Sequence, residues 1–322
     1  MRVLVTGAGG FIGLALVDAL AGAKTDFFGA VPSDFSLALT DRVERPVGAP
    51  PGASWTRGEI DDLALLDRLF DRPVDVVFHL AGVVSGAAEA DYALGKRVNL
   101  DATIALLERC RAQVAAGGPV ARFVYASSIA VFGTPLPARI DDATALEPTL
   151  SYGAHKRACE LLLDDCTRRG FIDGRALRLS GVVVRPPLAN GALSSFNSDV
   201  IREPLAGRSY VCPVSPDATI WIVSLKHTIA NLARLAQVDG SALGPRRALT
   251  TPSLAVSIAD IVAAIGRADP AAAERIRFDP QPAIEAQFGR WPLDCSFERG
   301  RRIGLTCDTS IDDVIRTHRE TA

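Results

Sequence analysis

The chain has 322 residues, 48% of them hydrophobic, and a formal net charge of −2. That length accommodates one large α/β domain or two modest ones. The balanced charge argues against nucleic acid and against a charged membrane surface as partners, and no apolar run reaches the roughly 18 residues that a bilayer span requires. Taken in chain order, "RVLVTG" (2–7) predicts a short strand ending in glycine and "FIGLALVDALAG" (11–22) an apolar helix. Strands follow at 35–41 and 53–60, then a helix at 63–70 and a buried strand at 74–82. A long helix is expected at 93–112, a strand at 122–128, a helix from 152 to about 169 and a strand at 175–184. Continuous apolar strands between helices predict an α/β fold, a doubly wound parallel sheet covered on both faces. Past about residue 186 Pro, Gly and Ser increase and the helices shorten. The expected division is therefore 1–185 for the sheet domain and mainly 186–322 for a smaller cap over its C-terminal edge, with later segments free to return to the sheet.

Six Cys are scattered without C-x-x-C or paired spacing, and "MRVLVTG" begins directly as a strand. A reducing cytoplasm is the expected location, with no metal site.

The first chemical motif is "TGAGGFIG", which places Gly7, Gly10 and Gly13 between a strand and a helix, with Phe11 and Ile12 opening that helix. Glycines let backbone approach a pyrophosphate, and a helix N-terminus supplies N–H donors and a positive dipole. At the first strand–helix junction of an alternating chain this spacing predicts dinucleotide binding. Asp26, Asp34 and Asp41 compete for the acid that ends the second strand and takes the adenosine ribose. Asp41 is preferred because "SLALTD" runs as a strand straight into it, and its carboxylate favours NAD over NADP, although Arg42 stands beside it.

The second motif joins "YASSIAVFG" (125–133) to "YGAHK" (152–156). Tyr152 and Lys156 lie one helical turn apart on one face. A phenol with pKa of about 10 is a poor base at neutral pH, and a fixed ammonium beside it favours phenolate. The strand before it delivers Ser127 and Ser128 to the same sheet edge, where a Ser hydroxyl can orient a reacting oxygen. His155 should project elsewhere.

"TGAGGFIG", "HLAG" (79–82), "RVNLDAT" (97–103), "SSIAVFG" (127–133) and "YGAHK" together resemble the extended short-chain dehydrogenase/reductases of the epimerase/dehydratase superfamily. The resemblance implies a Rossmann fold, bound NAD and a Ser128–Tyr152–Lys156 site, and brings Leu80, Ala81, Gly82 and Asn99 to the cofactor. It further implies that Glu59 and Ile60 contact adenine. A narrower resemblance, carried by residues 79–103, 127–137 and 201–207, is to a branch that oxidises the 2-hydroxyl of a four-carbon sugar acid. Ser180, Asn197 and Asp199 depart from that branch's pattern. "DATIWIVSLKH" (217–227) lacks the Arg and closing Asp with which nucleotide-sugar relatives seat a diphosphate. A small polar acid is thus the expected substrate, with Arg202 as the candidate for its carboxylate unless it pairs with Glu203. Ser85 and Asn190 are candidates for hydroxyl contacts, and Trp221 for a pocket wall or for cap packing. Apolar residues on more than one face of helices 93–112 and 152–169, with the family's habit of pairing these helices across a two-fold axis, predict a homodimer.

Overall fold

The computed structural model of the chain describes residues 1–22, 25–29, 34–187 and 193–321. The first half runs β1 (Arg2–Thr6), α1 (Phe11–Gly22), α2 (Thr25–Phe28), β2 (Ser36–Asp41), β3 (Ser54–Arg57), α3 (Leu63–Leu69) and β4 (Val76–His79). It continues through α4 (Ser85–Ala90), α5 (Tyr92–Gly95), a π-helical segment at Lys96–Asp101, α6 (Ala102–Ala115), β5 (Ala121–Ser128), the short β6 (Arg139–Ile140) and α7 (Ser151–Arg168). After β7 (Ile172–Leu179) come β8 (Gly181–Val183), α8 (Phe196–Leu205), β9 (Tyr210–Cys212), β10 (Thr219–Ser224), α9 (Leu225–Gln237), β11 (Ala248–Thr250), β12 (Leu254–Ser257) and α10 (Ile258–Ala268).

Seven strands form one sheet in the order β11-β7-β5-β4-β1-β2-β3. Every pairing in it is parallel. Parallel strands need crossover helices on both faces, so the central strands are buried on both sides, and every residue of β1 and β4 is buried. One face packs Leu16, Val17 and Leu20 of α1 and Leu232 and Leu235 of α9; the other packs Leu65, Leu106 and Leu163 from α3, α6 and α7. The doubly wound sheet expected from the sequence is the fold observed. Its strand order reverses between β1 and β4, and the crevice at such a switch point is where ligands bind.

Residues 225–250 return to the large sheet through α9 and β11. A second sheet, β12-β10-β8, and its own apolar core around Phe196, Ile201, Ile220 and Ile261 build the layer above the switch point. The expected strand at 175–184 is two strands in two sheets. The chain breaks at Ser180, after which β8 pairs with β10 rather than with β5. The helix expected at 93–112 extends to Ala115 and contains the π segment, and the strand expected at 53–60 ends at Arg57.

Candidate active site

The glycine loop is built so that side chains cannot enter it. A Cβ on Gly13 would lie 2.1 Å from the Gly7 carbonyl oxygen, and one on Gly7, whose φ is 72°, would lie 2.7 Å from the Ala81 nitrogen. Bare backbone therefore lines the turn at the N-terminus of α1, an arrangement that accepts a pyrophosphate. Asp41 closes the loop from β2: its carboxylate accepts Gly9 N–H at 2.9 Å and Val43 N–H at 3.3 Å. Asp34 is used otherwise, in an ion pair with the N-terminal ammonium at 3.0 Å. The Asp26 side chain lies outside the described residues. Glu59 and Ile60 follow β3 in a turn held beside Asp41 by the Gly58 N–H to Asp41 carbonyl bond of 3.0 Å. These residues fit a dinucleotide.

Between β1 and β4 a buried relay fixes the floor of the crevice. His79 joins Thr6 Oγ1 at 2.7 Å and Thr103 Oγ1 at 2.9 Å, and Thr103 donates to the Asn99 carbonyl at 2.9 Å. Burial, with Lys156 adding to it, pulls His79 down from 6.5 to about 3, so the ring is neutral. Asn99 sits in the π segment, and its amide clasps Val83 through both backbone groups, at 2.9 and 3.1 Å. The π turn is the local irregularity that aims this amide at the loop after β4.

A cavity of about 320 Å³ runs from this loop to the cap. It brings together Gly7, Gly10, Phe11, Ile12, Gly13, Leu80 and Gly82 on the nucleotide side with Ser85, Ser128, Tyr152 and Lys156 at its centre. Lys156 is buried, donates to the Ala126 carbonyl at 2.8 Å and stands 4.7 Å from the centre of the Tyr125 ring and 5.7 Å from that of Tyr152. Burial lowers its ammonium to about 8. Burial pushes the Tyr152 phenol up, while the Ser128 hydroxyl and the Arg185 charge pull it down. Arg185 is thus a second cation near the phenol beside Lys156, and no sequence motif pointed to it. Ser127 also lines the cavity, but its hydroxyl is committed to Glu160, to which it donates at 2.7 Å within a buried cluster that includes Arg178. His155 lies against Tyr92 with ring centres 5.9 Å apart, outside the cavity.

On the cap side the lining comprises Ser180, Arg185, Asn197, Trp221, Gln287 and Trp291, among others. Trp221 both walls the cavity and packs the cap: it is 1% exposed, donates to the Pro292 carbonyl at 2.8 Å and lies 4.9 Å from Trp291. Gln287 comes from the helix Pro282–Phe288 and Trp291 from the segment after it, where nothing in the sequence signalled a site. Arg202 does not reach the cavity. Its guanidinium holds Asp199, Glu203 at 2.8 Å and the Arg185 carbonyl, so the Arg expected at the carboxylate is a strut within the cap. The physical reason is proximity: Asp199 and Glu203 lie on the same helix, α8, within its reach. Asn190 lies outside the described residues.

Residues 3–216 match the model of the NAD dependent epimerase/dehydratase family. The chain is 42% identical to D-erythronate dehydrogenase of Cupriavidus necator, covering 100% of this chain and 99% of that protein. It is 34% identical to D-erythronate dehydrogenase of Haemophilus influenzae, covering 98% of each. Among solved structures it superposes on a nucleoside-diphosphate-sugar epimerase from Agrobacterium tumefaciens with a TM-score of 0.91 and 34% identity, covering 99% of this chain and 94% of that one. With a glycine cradle shaped for a dinucleotide at the switch point of its sheet, the chain belongs to the NAD dependent epimerase/dehydratase family and is an NAD-dependent oxidoreductase.

Proposed function

We propose that the chain oxidises the 2-hydroxyl of a small sugar acid, D-erythronate or a close relative, to the 2-oxo acid. The observation that carries this reading is full-length similarity to two D-erythronate dehydrogenases, at 42% and 34% identity. The convergence of Ser128, Tyr152 and Lys156 in one cavity supports it. NAD, held by the glycine loop, Asp41 and Lys156, would supply the hydride acceptor. Ser128 hydrogen-bonds the substrate hydroxyl and fixes its orientation. Tyr152 takes the hydroxyl proton as general base; burial holds its phenol above the ordinary value, and the Ser128 hydroxyl and the Arg185 guanidinium work against that rise. Lys156 is anchored on the Ala126 carbonyl, at the end of the strand that carries Ser128, so base and orienting hydroxyl keep one spacing. Six free thiols suit a reducing cytoplasm.

A second reading, a nucleotide-sugar epimerase with the same three residues, is favoured by the similarity to the nucleoside-diphosphate-sugar epimerase of Agrobacterium tumefaciens. One assay separates the two. Purified protein is offered four- to six-carbon aldonic acids with NAD, and NADH absorbance is followed; a parallel sample receives nucleotide-activated sugars. NADH formed from a four-carbon acid supports the proposal. An epimerised nucleotide sugar without net NADH would sink it.

A further inference from the structure

An anionic substrate needs a cation beside the reacting hydroxyl, and with Arg202 occupied inside the cap the cavity offers another. Arg185 lines the same cavity as Ser128 and Tyr152. It is pinned at three points. Its backbone N–H donates to Ser198 Oγ at 3.1 Å, its Nε to the Val182 carbonyl at 3.2 Å, and its own carbonyl accepts from Arg202. The nearest candidate counter-ion, Asp199, is taken by Arg202, and among the described residues no carboxylate lies within ion-pair distance of Arg185. A half-buried guanidinium without an acid partner is costly, and an arriving anion offsets that cost. The same wall carries Asn197, whose side-chain oxygen is buried without a hydrogen-bond partner among the described residues.

Resting on the dehydrogenase reading above, we propose that Arg185 binds the carboxylate of a 2-hydroxy acid and so selects which hydroxyl reacts. A planar guanidinium can take both carboxylate oxygens at once. With the carboxylate held there, the adjacent carbon, C2, is the one that reaches Tyr152 and Ser128, and hydroxyls further along the chain lie beyond them. Asn197 then accepts a hydrogen bond from one of those distal hydroxyls. Arg202 serves the anchor indirectly, by holding the Arg185 carbonyl.

The test is calorimetric titration of the NADH-loaded enzyme with D-erythronate and with erythritol, the neutral polyol of equal length, so that binding is read without turnover. Wild type should prefer the acid by roughly 10- to 150-fold, the range for a charge-assisted hydrogen bond. Arg185→Met should abolish that preference while leaving NADH affinity unchanged, and Arg185→Lys should keep part of it. If Arg185→Met does not melt cooperatively, Arg185→Gln replaces it. A variant that keeps the full preference, or a wild type that has none, overturns the assignment. Failure of the two readings is distinguishable. If the preference depends on Arg185 yet no aldonic acid yields NADH, the anchor stands and the dehydrogenase reading falls; if NADH forms equally well in Arg185→Met, the reverse holds.

Discussion

Tyr152 is the residue on which the proposed chemistry turns, and its surroundings oppose one another: burial favours phenol, while Ser128 and Arg185 favour phenolate. Replacing it with Phe removes the proton acceptor and little else. Turnover of Tyr152→Phe should fall by about 10²–10⁴-fold with NAD affinity little changed, the usual contribution of a general base. A variant that keeps half the wild-type kcat would make the phenol a bystander. His79 gives a second prediction, in stability. Its folded pKa is depressed from 6.5 to about 3. Between those values the unfolded chain binds a proton that the folded chain refuses, so stability is lost as pH falls through that window, by up to about 1.4 kcal/mol per pH unit. Denaturant midpoints at about pH 7 and about pH 4 should therefore separate more for wild type than for His79→Gln. Equal separations would show that the ring carries no such linkage. At this scale the sequence spoke through spacing. Ser128, Tyr152, Lys156 and the three glycines were legible because local motifs fix them. Arg185 was not, because it reaches the cavity only after the break at Ser180 redirects the chain; for Arg202 the sequence left a substrate carboxylate and Glu203 open, and the structure takes Glu203, with Asp199 beside it.

Among elements, the junction of β2 with the glycine loop bears on cofactor choice. Asp41 ends β2 and ties down the loop through Gly9, and we propose that its carboxylate faces the adenosine ribose, where a 2′-phosphate would meet like charge. Asp41→Ala should weaken NAD and relatively improve NADP, read as the ratio of kcat/KM for the two cofactors. An unchanged ratio would remove Asp41 from that role, and with Asp34 bound to the N-terminus the acid would have to be sought elsewhere. Strand and helix alternation was legible from β1 to α7 because buried parallel strands are continuous apolar runs. The short elements Thr25–Phe28, Ser85–Ala90 and Arg139–Ile140 were not, and two further details near the site were missed as well. The strand read as 175–184 carries a Ser180–Gly181 pair at its division, but the apolar runs on both sides read as continuous, and what splits it is tertiary: Ser253 donates to Ser180 at 2.7 Å while β10 captures β8. The π segment at Lys96–Asp101 likewise has no local signature; the demand that Asn99 face Val83 is met only in three dimensions.

At the scale of the whole molecule, α6 and α7 lie side by side and leave Ile104, Leu161 and Leu162 on their outer faces, with Leu161 53% exposed. These are the residues we propose a second copy covers, in a symmetric contact. Light scattering at micromolar concentration should give twice the mass of one chain, and Leu161→Glu with Leu162→Glu should reduce it to one; a single-chain mass for wild type rejects the dimer. The return of residues 225–250 to the large sheet has a consequence for how this protein can be divided or recombined. Leu232 and Leu235 of α9 are fully buried against the sheet face that Val124 and Leu177 present, at about 1.5–3 kcal/mol for each large apolar side chain. A chimera that replaces everything after residue 186 with the cap of a distant relative would uncover that face, whereas one that keeps 225–250 with the first half preserves it. The first should be insoluble on expression and the second should still retain NAD on a dye or nucleotide column. Residues that cover the large sheet and residues that build the second layer therefore alternate along the chain, and any exchange between relatives has to follow that discontinuous seam to keep the sheet covered.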